Sequence, residues 1–360
     1  MEVFMKHVLI LLMVAAVGFS GCGGEKDKTA GVGDNQTISS VTLTLGAYTV
    51  PKEAYQKGII PAFKKMWKEK TGQDVNFQES YIASGEQSRN IVSGFEADIA
   101  ALSLEHDVNR LADAGLITHD WKAKKCNGFV TRSLVVMVHR PNNPKNVKTW
   151  EDLTKPDIDV IYPNPRMSGG AMWFVNAIYG AGLKKIELET GSKDSDQART
   201  YARKLLKDVQ ARVKVMDKSG RASVTTFESG FGDVMLTYEN EALLRQLQGK
   251  DFPFIIPEAT LLIENPIAVV DKYVDKHGTR QVAEAFLEFT YTQEAQRYFA
   301  EYGFRSVDET VAKEFEAKYP VPKYLFDMSY LGGWKKVSTD IYGEQGVWTL
   351  IIQELGQNEK

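Results

Sequence analysis

From Val41 onward the chain alternates between short apolar runs of strand type and longer segments with a helical period. Val41-Thr42-Leu43-Thr44-Leu45 alternates strictly and predicts a strand. Ile60 to Lys70 carries Phe63 and Trp67 one turn apart and stops at Thr71-Gly72, which predicts a helix ended by glycine. Val75 to Gln78 predicts a second strand. Ser84 then stands before Gly85-Glu86-Gln87-Ser88-Arg89, at the entrance of a helix running to about Ser93. Asp98 to Leu102 and Leu134 to Val138 are apolar runs of the kind found in strands covered on both faces. Val160-Ile161, Val213 to Met216, Val234 to Thr237 and Ile267 to Val270 predict further strands. Residues 195–210 place Ala198, Tyr201, Ala202, Leu205, Leu206 and Val209 on one helical stripe, and Gln281 to Ala300 reads as one long amphipathic helix. Leu331 to Lys360, with Gly332-Gly333-Trp334 and a final amphipathic stretch, predicts C-terminal helices packed on a lobe. Strands alternating with helices, without an internal repeat, imply an α/β architecture with parallel sheets.

The first 40 residues break this pattern. Lys6 and His7 precede an apolar run from Val8 to Phe19, followed by Ser20, Gly21 and Cys22. That run has the length of a signal-peptide core and is too short for a mature membrane-spanning helix. Phe19-Ser20-Gly21-Cys22 resembles a bacterial lipobox, in which cleavage leaves the cysteine as a lipid-carrying N-terminus. Phe19 departs from the usual Leu, and a plain secretory signal cut nearby is the alternative. Residues 23–40 are rich in Gly, Lys, Asp, Thr and Ser and read as a flexible tether. The other cysteine is Cys126, so lipidation of Cys22 leaves no intrachain disulfide, and Cys126 is expected to be a buried small apolar side chain.

A length of 360 residues favours two lobes over one small core. The net charge of −3 supplies no global field for nucleic acid or for an anionic membrane surface. An anion would have to be held by local dipoles. Four segments offer them: Ala47-Tyr48-Thr49, Ala83-Ser84-Gly85, Ser168-Gly169-Gly170 and Ser219-Gly220-Arg221-Ala222-Ser223. Each puts small or hydroxylated residues between a strand and a helix. In open α/β sheets, ligands occupy the crevice outside those strand ends. The stretch Tyr162 to Trp173 is the most pointed of these. A proline-rich turn leads from a buried strand into Ser-Gly-Gly, where first-turn amides lack an intrahelical partner and glycine lets an anion approach. An ordinary N-capped helix is the other reading of that segment.

Ser84-Gly85-Glu86-Gln87-Ser88, Gly94-Phe95-Glu96-Ala97-Asp98, Tyr162-Pro163-Asn164-Pro165, Ser168-Gly169-Gly170-Ala171, Phe231-Gly232-Asp233-Val234, Tyr238-Glu239-Asn240-Glu241-Ala242 and Gly332-Gly333-Trp334 follow one another in a fixed order. In that order and spacing the chain resembles the sulfate-binding proteins of ABC transporters, from about residue 41 to residue 340. The resemblance implies a two-lobed periplasmic-binding-protein fold (type II), each lobe a mostly parallel sheet flanked by helices. It implies a dehydrated sulfate held by backbone amides and hydroxyls with no cationic side chain in contact. Carried over by position, Ser84 and Ser168 would donate through hydroxyls, and Gly169, Gly170 and Gly220 through amides. Thr49 would donate through its backbone, standing where the family has Asp. Tyr238 stands where the family has Trp. Asp107 and Arg221 would form a salt bridge across the cleft, with direct anion contact by Arg221 as the alternative. A phenol accepts as well as donates, whereas an indole only donates. Tyr238, and Thr49 with it, could therefore receive a proton from hydrogen phosphate, which a sulfate-only site could not.

The resulting expectation is an extracytoplasmic lipoprotein that captures sulfate or thiosulfate for an ABC-transporter permease by hinge closure. Phosphate, molybdate or tungstate are the alternative ligands. The expected organisation is a signal peptide at 1–21, a lipid-anchored tether at 22–40, lobe 1 from 41–130 plus 260–310, lobe 2 from 131–259, and C-terminal helices at 311–360. The chain is expected to be a monomer without cofactor or metal. No His/Cys spacing suits zinc, no Gly-x-Ser-x-Gly elbow or phosphate loop is present, and no histidine neighbours Ser168 in sequence. A hydrolase and a non-transport envelope lipoprotein are the competing classes.

Overall fold

Burial on both faces marks the central strands. The computed structural model describes residues 40–357, so the signal, the tether up to residue 39 and Cys22 lie outside the described residues. Ten strands follow in chain order: β1 (Val41–Tyr48), β2 (Val75–Ile82), β3 (Ile99–Ala101), β4 (Phe129–His139), β5 (Val160–Ile161), β6 (Val213–Val215), β7 (Val234–Tyr238), β8 (Phe254–Ile255), β9 (Ala259–Val269) and β10 (Tyr324–Phe326). They are ordered β2-β1-β3-β9-β4-β7-β5-β6, with β10 on β9 and β8 on β4.

The two halves of this order are built alike. On one side β2, β1 and β3 run parallel and β3 meets β9 antiparallel. On the other, β6, β5 and β7 run parallel and β7 meets β4 antiparallel. Between them β4 and β9 pair antiparallel, Phe129 to Leu134 against Leu262 to Pro266. β4 continues into β7 through Val135 to His139, and β9 continues into β3 through Ile267 to Val269. The chain thus crosses between two mostly parallel half-sheets along two paired strands. This is the two-lobed, type II α/β architecture expected from the sequence.

Helices cover both halves. Ile60–Thr71 presents Phe63 and Trp67, and Phe63 meets Phe286 edge-on with ring centroids 5.0 Å apart. Such a pair adds about 0.5–1.5 kcal/mol beyond its area burial. Helix Gly169–Thr190 is buried around most of its circumference over its first three turns, because C-terminal segments close its outer side. There Trp334 packs edge-on against Trp173 with centroids 4.9 Å apart, and Phe326 lies against Gly180.

Several local expectations change. The first strand runs on to Tyr48 and the second to Ile82, and the runs Leu134 to Val138 and Ile267 to Val270 belong to the longer strands Phe129–His139 and Ala259–Val269. The segment Gln281 to Ala300 is two helices, Arg280–Thr290 and Gln293–Glu301. Thr292 sits extended between them and its hydroxyl accepts the Ala295 N–H at 3.2 Å, which starts a new helix. Cys126 is half-buried rather than buried, in a left-handed turn (φ 53°), with its thiol 3.7 Å from the Val307 carbonyl.

A buried charge anchors the first half-sheet. The fully buried Asp98 accepts the Thr44 N–H and the Thr279 hydroxyl, each at 2.7 Å, and faces His277 Nδ1 at 2.9 Å. His277 Nε2 faces Glu96, itself paired with Lys276, at 3.0 Å. With carboxylates on both ring nitrogens the charged imidazolium is favoured. The Glu96 hydrogen bond leads this effect, Asp98 adds to it, burial opposes it, and the His277 pKa rises above its ordinary value. A raised folded-state pKa gives stability that is complete below about pH 6.5 and is lost as pH climbs through the raised value. His277→Gln is expected to flatten this alkaline decline in urea unfolding; an unchanged pH slope would show that the clamp does not titrate.

Candidate functional site

Six strands of the two half-sheets, β1, β2, β3, β5, β6 and β7, end at one crevice, and each hands the chain to a helix. After β1, Thr49 lines a cavity of about 310 Å³ together with Ile82, Ala83, Ser219 and Arg221. After β2, Ser84 opens helix Ser84–Val92. The preceding Ala83 has no side-chain oxygen with which to cap it. The buried Ser84 hydroxyl donates to Asp107 Oδ2 at 2.6 Å and accepts the Ser103 N–H at 2.9 Å. Its proton is therefore directed at a carboxylate here, and donation to an anion would require the hydroxyl to rotate.

After β5, the Tyr162-Pro163-Asn164-Pro165 turn is pinned by Asn164. Its amide donates to the Asp217 carbonyl at 2.7 Å, its carbonyl accepts the Met167 and Ser168 amides at 3.0 and 2.8 Å, and its side chain accepts the Arg166 N–H at 2.8 Å. This sets Ser168 at the N-cap of helix Gly169–Thr190, yet its hydroxyl accepts none of the first-turn amides. The positive end of a 22-residue helix is thus left without a side-chain cap, inside the crevice.

Glycine is required at both following positions. A Cβ on Gly169 would stand 2.9 Å from Leu104 Cγ and from Ser103 Oγ, residues that follow β3 in the other half-sheet. A Cβ on Gly170 would stand 2.9 Å from the Tyr238 ring and 3.3 Å from Ser168 Oγ. After β6, Ser219 caps helix Gly220–Glu228 through the Ala222 amide at 3.2 Å, and Gly220 faces Val50 across the crevice. After β7, Tyr238 is buried with its hydroxyl 2.7 Å from Ser103 Oγ, and its ring lies between Tyr48 and Phe174 at centroid distances of 6.2 and 5.8 Å. Its backbone register with Val135 of β4 places it beside the crossing strands. The structure therefore brings Ser168, Gly169, Gly170 and Tyr238 together. Thr49, Ser84 and Gly220 lie around them on the same crevice.

The expected Asp107–Arg221 bridge is absent. Asp107 is satisfied within its own half by Ser84 and by Arg110 Nη1 at 3.0 Å. Arg221 instead pairs bidentately with Glu53 at 2.8 and 2.9 Å and reaches Glu241 at 3.0 and 3.2 Å. Glu53 follows β1 and Arg221 follows β6, so the bridge does span the crevice, with a different acid. Each of the three guanidinium nitrogens donates to a carboxylate, an arrangement that works against the alternative of Arg221 as a direct anion contact. Burial works against charge at Glu53, but Arg221 outweighs it and holds that carboxyl below its ordinary value. At the fully buried Glu241 burial prevails over Arg221 and Arg245, and the pKa is raised.

Two residues of this site escaped the sequence reading. Ser103 is buried between the halves, where Trp173 Nε1 donates to its carbonyl and hydroxyl at 3.2 Å. It directly follows the apolar run Asp98 to Leu102, the same strand-end signature that marked the other segments. Glu53 carries no such signal. Among the described residues no cluster of His, Cys, Asp or Glu could hold a metal ion, and no helix is long and apolar enough to cross a membrane.

Two lobes on a paired-strand crossing, with helix N-termini facing each other over the crevice, define a protein that encloses a solute by closure. Residues 43–305 match the family described as bacterial extracellular solute-binding protein, and the chain belongs to that family. It is 40% identical over 353 residues to a sulfate-binding protein of Synechocystis sp., covering 97% of each chain. It is 32% identical over 310 residues to a thiosulfate-binding protein of Pseudomonas aeruginosa, covering 85% of this chain and 90% of that one. Among solved structures it resembles the sulfate-binding protein SubI from Mycobacterium tuberculosis, with 37% identity and a TM-score of 0.75, over 83% of this chain and 98% of the other.

Proposed function

We propose that the protein captures sulfate, or the similar thiosulfate, outside the cytoplasm and delivers it to an ABC-transporter permease by closure of its lobes. The lobes are taken as 41–130 with 260–310 and as 131–259, and residues 311–360 pack on them. The observation that carries this reading is the uncapped N-terminus at Ser168-Gly169-Gly170, set against Ser103 and Leu104 of the opposite lobe. A fully ionised tetrahedral dianion accepts hydrogen bonds and offers none. Backbone amides and hydroxyls can replace its water shell while the nearby cation, Arg221, stays bound to Glu53 and Glu241. Ser168, Gly169, Gly170 and Gly220 would donate from lobe 2, Tyr238 from the crossover, and Thr49 and Ser84 from lobe 1.

Binding without covalent chemistry fits the surroundings of Ser168. Among the described residues the histidine contacts run to Arg110, Asp271, the Arg140 carbonyl and Asp98 for His106, His119, His139 and His277, and no histidine nitrogen is hydrogen-bonded to the Ser168 hydroxyl. The reading includes a monomer tethered to the membrane by lipid on Cys22. Mass spectrometry of the membrane fraction, with Cys22→Ser as control, tests the anchor. Thermal-shift titration with sulfate, thiosulfate, phosphate, molybdate and tungstate tests the ligand, since ligand at 100 times its Kd stabilises by about 2.7 kcal/mol. Ser168→Ala is expected to weaken sulfate binding by about 1–3 kcal/mol in calorimetry. Wild-type protein that responds to neither sulfate nor thiosulfate would overturn the proposal.

A further inference from the structure

We propose that Ser103 sets the direction of the Tyr238 hydroxyl, so that the pair accepts a singly protonated tetrahedral oxyanion as well as a fully ionised one. The inference rests on the placement of the anion at Ser168-Gly169-Gly170. Ser103 is held on three sides. Its amide donates to Ser84 Oγ at 2.9 Å, and its carbonyl accepts Asn265 Nδ2 at 3.1 Å and Trp173 Nε1 at 3.2 Å. Its backbone is fixed and its hydroxyl hydrogen is the remaining freedom. That hydroxyl oxygen accepts Trp173 Nε1 at 3.2 Å and lies 2.7 Å from the Tyr238 hydroxyl, where either oxygen can donate. Both residues are buried, so water does not decide the direction. Burial also pushes the Tyr238 pKa up, with the Ser103 hydrogen bond opposing in part, so the phenol keeps its proton.

Two arrangements follow from one geometry. Facing a fully ionised oxyanion, Ser103 donates to Tyr238 and Tyr238 donates to the ligand. Facing a protonated one, the ligand hydroxyl donates to Tyr238, Tyr238 turns its own hydrogen to Ser103 Oγ, and Ser103 turns its hydrogen to another ligand oxygen at Gly169, against which its hydroxyl lies. The second arrangement exists only while Ser103 offers an acceptor. An indole at 238 would allow the first and forbid the second.

Inorganic phosphate under mildly alkaline conditions, where it carries one proton, is the probe, with sulfate as reference. Wild-type protein is expected to bind both in calorimetry. Ser103→Ala is expected to weaken phosphate at least about tenfold more than sulfate. Tyr238→Trp is expected to raise the ratio of sulfate to phosphate affinity, and a fall in that ratio would overturn the acceptor role. Tyr238→Phe, which removes donor and acceptor together, is expected to weaken both. Equal losses for the two ions in Ser103→Ala would reduce Ser103 to a packing role and overturn the inference. So would wild-type protein that binds sulfate but no phosphate at millimolar concentration, and that result would leave the sulfate reading intact. Failure to bind either ion would sink both.

Discussion

Gly169→Ala is expected to yield a folded protein that has lost most of its affinity for sulfate. The added methyl group suits a helix first turn, and alanine is the better helix former. Within its own lobe the substitution is therefore harmless. The conflict arises across the cleft, where the new carbon would lie 2.9 Å from Leu104 and Ser103 Oγ and 3.0 Å from Ser103 Cβ. Ser103 is held through its backbone by Ser84, Asn265 and Trp173 and has little room to give way. Overpacking of this kind costs about 1–3 kcal/mol. On the proposed closure this contact forms as the lobes meet, so the penalty is expected to fall on the closed state, giving about a 5- to 150-fold loss of affinity. The ligand-free melting temperature should stay near wild type. A normal sulfate Kd in Gly169→Ala would mean that the lobes close on a different face. Gly170→Ala meets Tyr238 and Ser168 within its own lobe, and is expected to cost ligand-free stability as well.

Arg221→Ala should be the most destabilising single change at the cleft. It strips the fully buried Glu241 of its nearest cation and leaves Arg245 at 3.4 Å as partner. Removing one member of a buried ion pair costs about 3–5 kcal/mol, and the remaining Arg245 contact favours the lower end of that range. Glu53→Gln separates the two roles of Arg221. Glu53 belongs to the opposite lobe, so its loss should weaken closure and speed ligand release while leaving urea stability of the ligand-free protein nearly unchanged. If Glu53→Gln destabilised the free protein as much as Arg221→Ala, the Glu53 bridge would be a structural pair and not a latch.

The fold was legible where burial is continuous. Leu134 to Val138 and Val160-Ile161 are apolar on both faces because sheet neighbours and helices cover them, and such runs announce themselves. The break at Thr292 was not legible. The two flanking helices present Phe286, Phe289 and Phe299 to one core, so the apolar period continues through the interruption. At the site, the strand-end glycines and serines could be read because their chemistry is local. The partner of Arg221 could not. Glu53 lies 168 residues away, and several acids compete for such a role until the lobes are folded against each other. The resemblance supplied Asp107 instead, and the structure shows that carboxylate already satisfied by Ser84 and Arg110. Ser103 met the same strand-end criterion as the others, but a lone serine before a leucine has no glycine beside it to draw notice.

β4 and β9 are bonded to each other from Phe129 to Leu134, and that pairing restricts how the molecule can move. A two-stranded ribbon bends out of its plane with little loss of ladder hydrogen bonds, whereas sliding one strand past the other would break them in sequence. That pairing favours a swing of the two halves over a sideways slip. Asn265, in the middle of β9, grips the Ser103 carbonyl, so the flexing ribbon and the jaw are mechanically geared. Opening the cleft would withdraw the Trp173 indole from the Ser103 carbonyl, whereas Asn265, which shares its half-sheet with Ser103, keeps that acceptor, and the cargo is held or freed as by a clamshell.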